Sequence, residues 1–201
     1  MHKVTGIGTP SAKPDGIPVS ELTYGTAVSL AEILFPCVDN KGEIEFGVIA
    51  DLDSIRDNVR LIVSVMPWGV LAASCIKLCN RLIGFLGNRD DFRLNVWNES
   101  KRLIVNNTPS VARVLDIDQQ SLGDNIQSFV NESMLTFLVG EDITNVVNPE
   151  FLDATEYEYA AIMATLSSAL ICASATVNGI APRDMALKLR MELQDIVSNT
   201  F

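Results

Sequence analysis

The residues of this chain best suited to chemistry are basic, and most of them lie in one stretch. Between residues 56 and 113 there are nine basic residues against four acidic ones, a net charge of +5, whereas the remainder carries −15. Seven of the nine are arginine, whose fixed fork of N–H donors and weak hydration suit it to phosphate. The candidate nucleic-acid-binding residues are these nine and one tryptophan: Arg56, Arg60, Lys77, Arg81, Arg89, Arg93, Lys101, Arg102, Arg113 and Trp97.

Spacing along the chain supports a shared binding surface for these cations. Residues four apart lie on the same face of a helix. Successive pairs of cations can therefore contact successive phosphates along a nucleic-acid strand. Phe92 and Trp97 lie among them and can stack on bases. Solvated helix faces also carry arginine and lysine, so pairing with acidic surface on a neighbouring subunit stays open as an alternative. The one-turn pairs are Arg56 with Arg60, Lys77 with Arg81, and Arg89 with Arg93.

The sequence contains few residues in arrangements that are typical of a catalytic site. The only histidine is His2, which excludes most mechanisms that depend on imidazole. Three carboxylates cluster at Asp51, Asp53 and Asp57, but the pattern lacks the glycine and distal glutamate of a calcium loop, so capping of a helix by Asp53 is favoured. Phosphate-loop and dinucleotide-binding signatures are missing as well. We predict no enzyme, no catalytic residue, no cofactor and no metal ion.

Cysteine usage and apolar runs indicate the compartment. Four cysteines in 201 residues are too few for a disulfide scaffold, and we expect buried thiols. The first twenty residues contain no apolar signal core. The run 160–182 is long enough to span a membrane, but its alanines, serines and threonines favour a helix surrounded by protein. The prediction is a cytoplasmic or virion protein that is not secreted and has no membrane partner.

The pattern of apolar residues and breakers predicts an all-α fold. An arm at 1–19, which contains three glycines and three prolines, precedes a single helical domain at 20–201. About seven or eight helices surround a central Ala/Ser-rich helix, which is opened by Asn148-Pro149-Glu150, ends at Gly179 and is expected to be the longest.

Local signals set the expected boundaries of the other elements. Pro36 is predicted to stop the first helix, and alternating apolar residues at 37–48 predict one small β-hairpin. A stop at Asn106-Asn107 and a new start at Thr108-Pro109 predict two helices between residues 90 and 115.

One short stretch resembles known proteins. Leu152-Asp153-Ala154-Thr155, followed by a long helix of small residues, is similar to part of the coat proteins of rod-shaped plant viruses. In that family arginines at the corresponding helix start meet RNA. Glu156 and Glu158 stand there in this chain, so the resemblance transfers no site residue.

These observations predict a self-assembling structural protein that binds the nucleic-acid backbone, as a viral coat or nucleocapsid subunit packaging single-stranded RNA. Its partners would be further copies of itself, joined through the N-terminal arm into a filament or shell, and single-stranded nucleic acid. Affinity would come from phosphate contacts and fall steeply with salt. The alternative is a helical protein-interaction scaffold or adaptor without nucleic-acid binding.

Overall fold

A computed structural model describes residues 21–38, 48–66, 68–141 and 154–198. Within these ranges the chain forms seven α-helices and no strand, which confirms the all-α prediction. The helices are α1 (Glu21–Val38), α2 (Val48–Val65), α3 (Trp68–Leu86), α4 (Asp90–Leu115), α5 (Gln119–Val139), α6 (Glu156–Asn178) and α7 (Pro182–Ser198).

Helix α6 lies at the centre of the fold. It packs against α1, α3, α4, α5 and α7, and every residue from 159 to 175 is buried. Small side chains around the helix allow this close approach from several sides. Two of its buried hydroxyls bond within the helix: Thr165 donates to the carbonyl of Ala161 at 2.8 Å, and Ser167 to that of Met163 at 2.7 Å. The central position predicted from composition is therefore the one observed.

The N-terminus of α6 differs from the predicted one. Thr155 is the N-cap, with its side chain accepting from the Glu158 N–H at 3.2 Å while the Glu158 carboxylate accepts from the Thr155 N–H at 2.8 Å. This capping box satisfies two backbone donors and starts the helix at Glu156. Asn148-Pro149-Glu150, the expected start, lies outside the described residues. The helix ends as predicted at Gly179, whose φ is +67°.

Helix α4 runs through the predicted break at residues 106–109 and, with 26 residues, is longer than α6 with 23. Side chains bond the carbonyls of the turn before Pro109. Asn107 donates to the carbonyls of Leu103 and Val38 at 2.8 and 2.7 Å, and Thr108 donates to that of Ile104 at 2.8 Å. The Asn-Thr-Pro sequence therefore continues a helix where local signals predicted two.

The segment predicted as a β-hairpin begins and ends in helices. Cys37 and Val38 are the last residues of α1, which continues past the exposed Pro36, and Val48 is the first residue of α2. A proline on the solvent side of a helix leaves one carbonyl for water to bond. The hairpin is therefore not shown, and residues 39–47, like the arm at 1–19, lie outside the described residues. Asp53 lies inside α2, so its predicted role as N-cap is wrong.

Helices α1 and α7 are joined by a forked ion pair. Arg190 donates to the two carboxylate oxygens of Glu32 at 2.8 and 2.6 Å and to the Ser29 hydroxyl at 3.0 Å. Such two-pronged geometry fixes the relative rotation of the two helices. The first and last helices are thereby held side by side around α6.

Candidate nucleic-acid interface

The basic residues of α2 meet a carboxylate of the same chain. Arg56 Nη2 lies 2.7 Å, and Arg60 Nη2 3.7 Å, from Oδ2 of Asp116. Tyr157, at the start of α6, donates its hydroxyl to the carbonyl of Leu115 beside them. We call Arg56, Arg60, Asp116 and Tyr157 the Asp116 cluster. The pair of arginines is on one face, as predicted, but Asp116 already occupies it.

The Asp116 cluster is built by the end of α4. Asp116 is the C-cap, with a left-handed φ of +59°, and its N–H bonds to the carbonyl of Ala112. Its side chain is 68% exposed. Burial, and then the Asp116 carboxylate, raise the pKa of Tyr157, while Arg60 and Arg56 act in the opposite direction.

Arg93 is not at the surface. It is 4% exposed and donates to the carbonyl of Leu138 at 3.4 Å, while its Nε is buried without a hydrogen-bond partner. The guanidinium lies against Gly140: a Cβ there would stand 2.1 Å from Nη1. Arg93 therefore sits beneath the C-terminus of α5, whose carbonyls favour a cation. Its predicted place on an open track with Arg89 is not the place observed.

Trp97 is a core residue. It is 1% exposed, and its ring centroid lies 5.0 Å from that of Phe137 at an interplanar angle of 34°. A buried indole has no face available to a base, so stacking by Trp97 is not compatible with this packing. Phe92 is half-buried and carries the guanidinium of Arg89 5.0 Å above its ring centroid. Of the two aromatic residues singled out, Phe92 is the one near the surface.

Arg102 is held by a neighbour one turn earlier on α4. Its Nε and Nη2 donate to the two carboxylate oxygens of Glu99 at 2.8 and 2.6 Å. This hydrogen bonding is the main cause that lowers the pKa of Glu99 below its usual value. The charge of Arg102 is therefore largely offset within the helix.

The remaining five cations have no carboxylate within 4 Å in the part of the chain that the structure describes. Lys77, Arg89 and Arg113 are exposed, and Arg81 and Lys101 are half-buried. Lys77 and Arg81 lie one turn apart on α3, as predicted. The structure thus leaves about half of the predicted residues available to an outside ligand.

Other reactive groups are enclosed. All four cysteines are buried thiols, and burial raises the pKa of Cys37 and of Cys79 to about 12, which disfavours the thiolate. Cys79 Sγ lies 3.3 Å from the Ser167 hydroxyl, inside the core. Among the described residues no three histidines, cysteines or acids are grouped to hold a metal ion.

Exposed apolar pairs on the outer helix faces were not predicted from the sequence. On three helices two large apolar side chains lie four residues apart on the outer face, each more than half exposed. In the sequence they are visible as apolar residues that do not fall on the buried face of each helix. These pairs are Leu61 with Val65 on α2, Leu135 with Val139 on α5, and Leu187 with Met191 on α7.

One helix of the described residues passes a length and composition test for a membrane span. It is α6, and 89% of its apolar window is buried by the rest of the fold. Comparison with known protein families, with characterised proteins and with solved structures finds no match to this chain.

Proposed function

We propose that this protein is a self-assembling structural protein that binds the backbone of single-stranded RNA, as a coat or nucleocapsid subunit. The observation that carries the proposal is the set of five cations without a carboxylate partner among the described residues, all within the basic stretch of an otherwise acidic chain. Such cations supply affinity by displacing counterions from phosphates, without reading sequence. Lys77 and Arg81 on α3 form the best-defined pair.

Exposed apolar surface supports self-assembly. The three apolar pairs on α2, α5 and α7 lie on different helices, so one copy offers several surfaces to its neighbours. Two different surfaces that meet each other join copies head to tail and give a ring or a filament. The acidic remainder of one copy facing the basic stretch of the next would set the register. We propose a filament or shell in the cytoplasm or the virion, with the arm at 1–19 exchanged between copies.

A second candidate function is a helical interaction scaffold that binds proteins only. It is favoured by the same apolar pairs and by the engagement of Arg56, Arg60, Arg93 and Arg102 inside the folded chain. A scaffold needs exposed apolar anchors but no free cationic track. The two candidates therefore differ in one property, affinity for RNA.

The first experiment measures the binding of a fluorescein-labelled RNA of about 20 nucleotides by anisotropy at about 50–200 mM salt. The variant Lys77→Glu/Arg81→Glu removes the α3 pair. The matched control is Arg183→Glu/Lys188→Glu, which makes the same charge change at exposed positions of α7. We expect the α3 variant to lose affinity and to flatten the log–log salt slope by about 1.4, since each contact to a single strand contributes about 0.7. The control should keep the wild-type slope.

Two outcomes would decide against RNA binding. One is no change of anisotropy for the wild-type protein at about 50 mM salt; the other is an equal loss in both variants, which would indicate net charge rather than a site. Absorbance at 260 nm of the purified protein and an electron image add independent readouts. Filaments with bound nucleic acid support the coat subunit, whereas particles free of nucleic acid support the scaffold.

A further inference from the structure

We propose that Asp116 is a built-in competitor of RNA: its carboxylate occupies a phosphate position between Arg56 and Arg60 and weakens binding there. The inference rests on the proposed function, because it names a second contact point for the same ligand and the group that regulates it. Two arginines directed at a single acidic oxygen are the arrangement with which proteins hold a phosphate.

The ion pairs with Asp116 do not satisfy every donor of the two guanidinium groups. In both arginines Nη2 approaches the same carboxylate oxygen, Oδ2, at 2.7 Å from Arg56 and 3.7 Å from Arg60. The Nε of Arg56 is buried and has no hydrogen-bond partner. A phosphodiester offers two non-bridging oxygens and can therefore bond donors that the single Oδ2 does not satisfy.

Charge and exposure favour exchange of the carboxylate for a phosphate. The two arginines and Asp116 together carry a net charge of +1. The side chains of Asp116 and Arg60 are 68% and 57% exposed, and that of Arg56 is 29% exposed. An ion pair this open to water adds little stability, so another anion can replace it at small cost.

The backbone holds the carboxylate in position. The left-handed conformation of Asp116 is fixed by its N–H bond to Ala112, and the Tyr157 hydroxyl fixes the preceding Leu115. Asparagine adopts this conformation readily, so Asp116→Asn removes the charge and keeps the turn. Asp124→Asn, on an exposed position of α5, makes the same change in net charge elsewhere.

The test compares RNA binding of the wild type, Asp116→Asn and Asp124→Asn by anisotropy with the same labelled oligonucleotide. We expect Asp116→Asn to bind about three- to tenfold tighter and with a salt slope steeper by up to about 1.4, since two arginines become available. Asp124→Asn should match the wild type. Adding Arg56→Gln and Arg60→Gln to Asp116→Asn should abolish the gain. Asp116→Gly, which also suits a left-handed residue, replaces the asparagine variant if that one does not fold.

The outcomes separate this inference from the proposed function. If the wild type binds RNA through Lys77 and Arg81 but Asp116→Asn is no tighter than Asp124→Asn, only the competitor role is overturned. If the wild type does not bind but Asp116→Asn does, the wild-type function is overturned and the competitor role is supported. If neither binds, both are overturned. A gain that survives loss of Arg56 and Arg60 also overturns the role of Asp116.

Discussion

Helices α6 and α4 are the two longest helices of the described residues. They differ in how much of their structural environment can be predicted from their own sequence. Almost all of α6 is buried, and its residues are small, apolar or able to bond within the helix. Nearly everything about its environment follows from its own composition. Helix α4 carries charged residues whose surroundings range from the core, at Arg93, to open solvent, at Arg113.

The difference lies in where the partner of each side chain comes from. Thr165 and Ser167 in α6 each bond to a carbonyl one turn away, so these partners are fixed by the helix itself. The partner of Arg93 is the end of α5, and the partner of Arg56 is a residue sixty positions further on. Local periodicity predicts contacts within a helix, but it does not predict contacts between residues that are distant in the sequence.

The largest expected effect concerns Trp97 on α4. Replacing this buried indole by alanine should cost about 3–5 kcal/mol of unfolding free energy, because it leaves a cavity beside Phe137. Urea denaturation followed by circular dichroism measures it, with Leu94→Ala on the exposed side of α4 as the control. A cost below that of the control would contradict the core position of Trp97.

Overpacking of α6 comes next. Ala169 is fully buried, and Ala169→Leu should destabilise the fold by about 1–3 kcal/mol, since neighbouring helices must move apart. Thr176→Leu, at an exposed position of the same helix, makes a comparable enlargement without a neighbour to displace. Equal denaturation midpoints for the two variants would show that α6 is not closely surrounded.

A smaller change in unfolding free energy is expected from the contact between Arg93 and Gly140. Gly140 and Gly179 both have positive φ, but a Cβ meets Arg93 only at Gly140 and nothing within 4 Å at Gly179. Gly179→Ala should cost about 1–2 kcal/mol for the left-handed backbone alone. Gly140→Ala should cost about 1 kcal/mol more. In an Arg93→Ala background this excess should disappear; if it persists, the clash with the guanidinium is not its cause.

The smallest effect is a pH dependence at the start of α6. Hydrogen bonds from the backbone and side chain of Thr155 lower the pKa of Glu158. A lowered pKa in the folded state adds stability above the unfolded pKa of about 4.3, and this stability is lost as pH falls through the folded pKa. The stability difference between wild type and Glu158→Gln should therefore be largest near neutral pH and shrink below about pH 4. A stability difference that does not change with pH would contradict this prediction.

The sequence predicted the helical class, the central helix and the end of that helix at Gly179, because these depend on composition and on single residues. Gly87, Gly140 and Gly179 take the positive φ that ends a helix, and Asp118 caps α5 through a bond to the Ser121 N–H at 2.8 Å. Each of these signals acts within one turn. They require no knowledge of what packs against the helix.

The sequence-based predictions were wrong where a residue far away in the sequence contacts the element concerned. The break predicted at Asn107 failed because that side chain bonds Val38, 69 residues away, as well as its own helix. The arginine track was counted over residues 56–113, and the carboxylate that engages its first pair stands at 116, just outside. Counting charges within one stretch of the sequence does not reveal a carboxylate outside that stretch that lies close in the folded structure.

The position of α6 along the chain has a consequence for biosynthesis. Helices α1, α3, α4 and α5 all rest on a helix that follows them in sequence and ends at Asn178. During translation the apolar faces that these helices pack against α6 stay uncovered, although α1 and α3, and α4 and α5, also contact each other. The core is therefore completed only after residues 156–178 have left the ribosome.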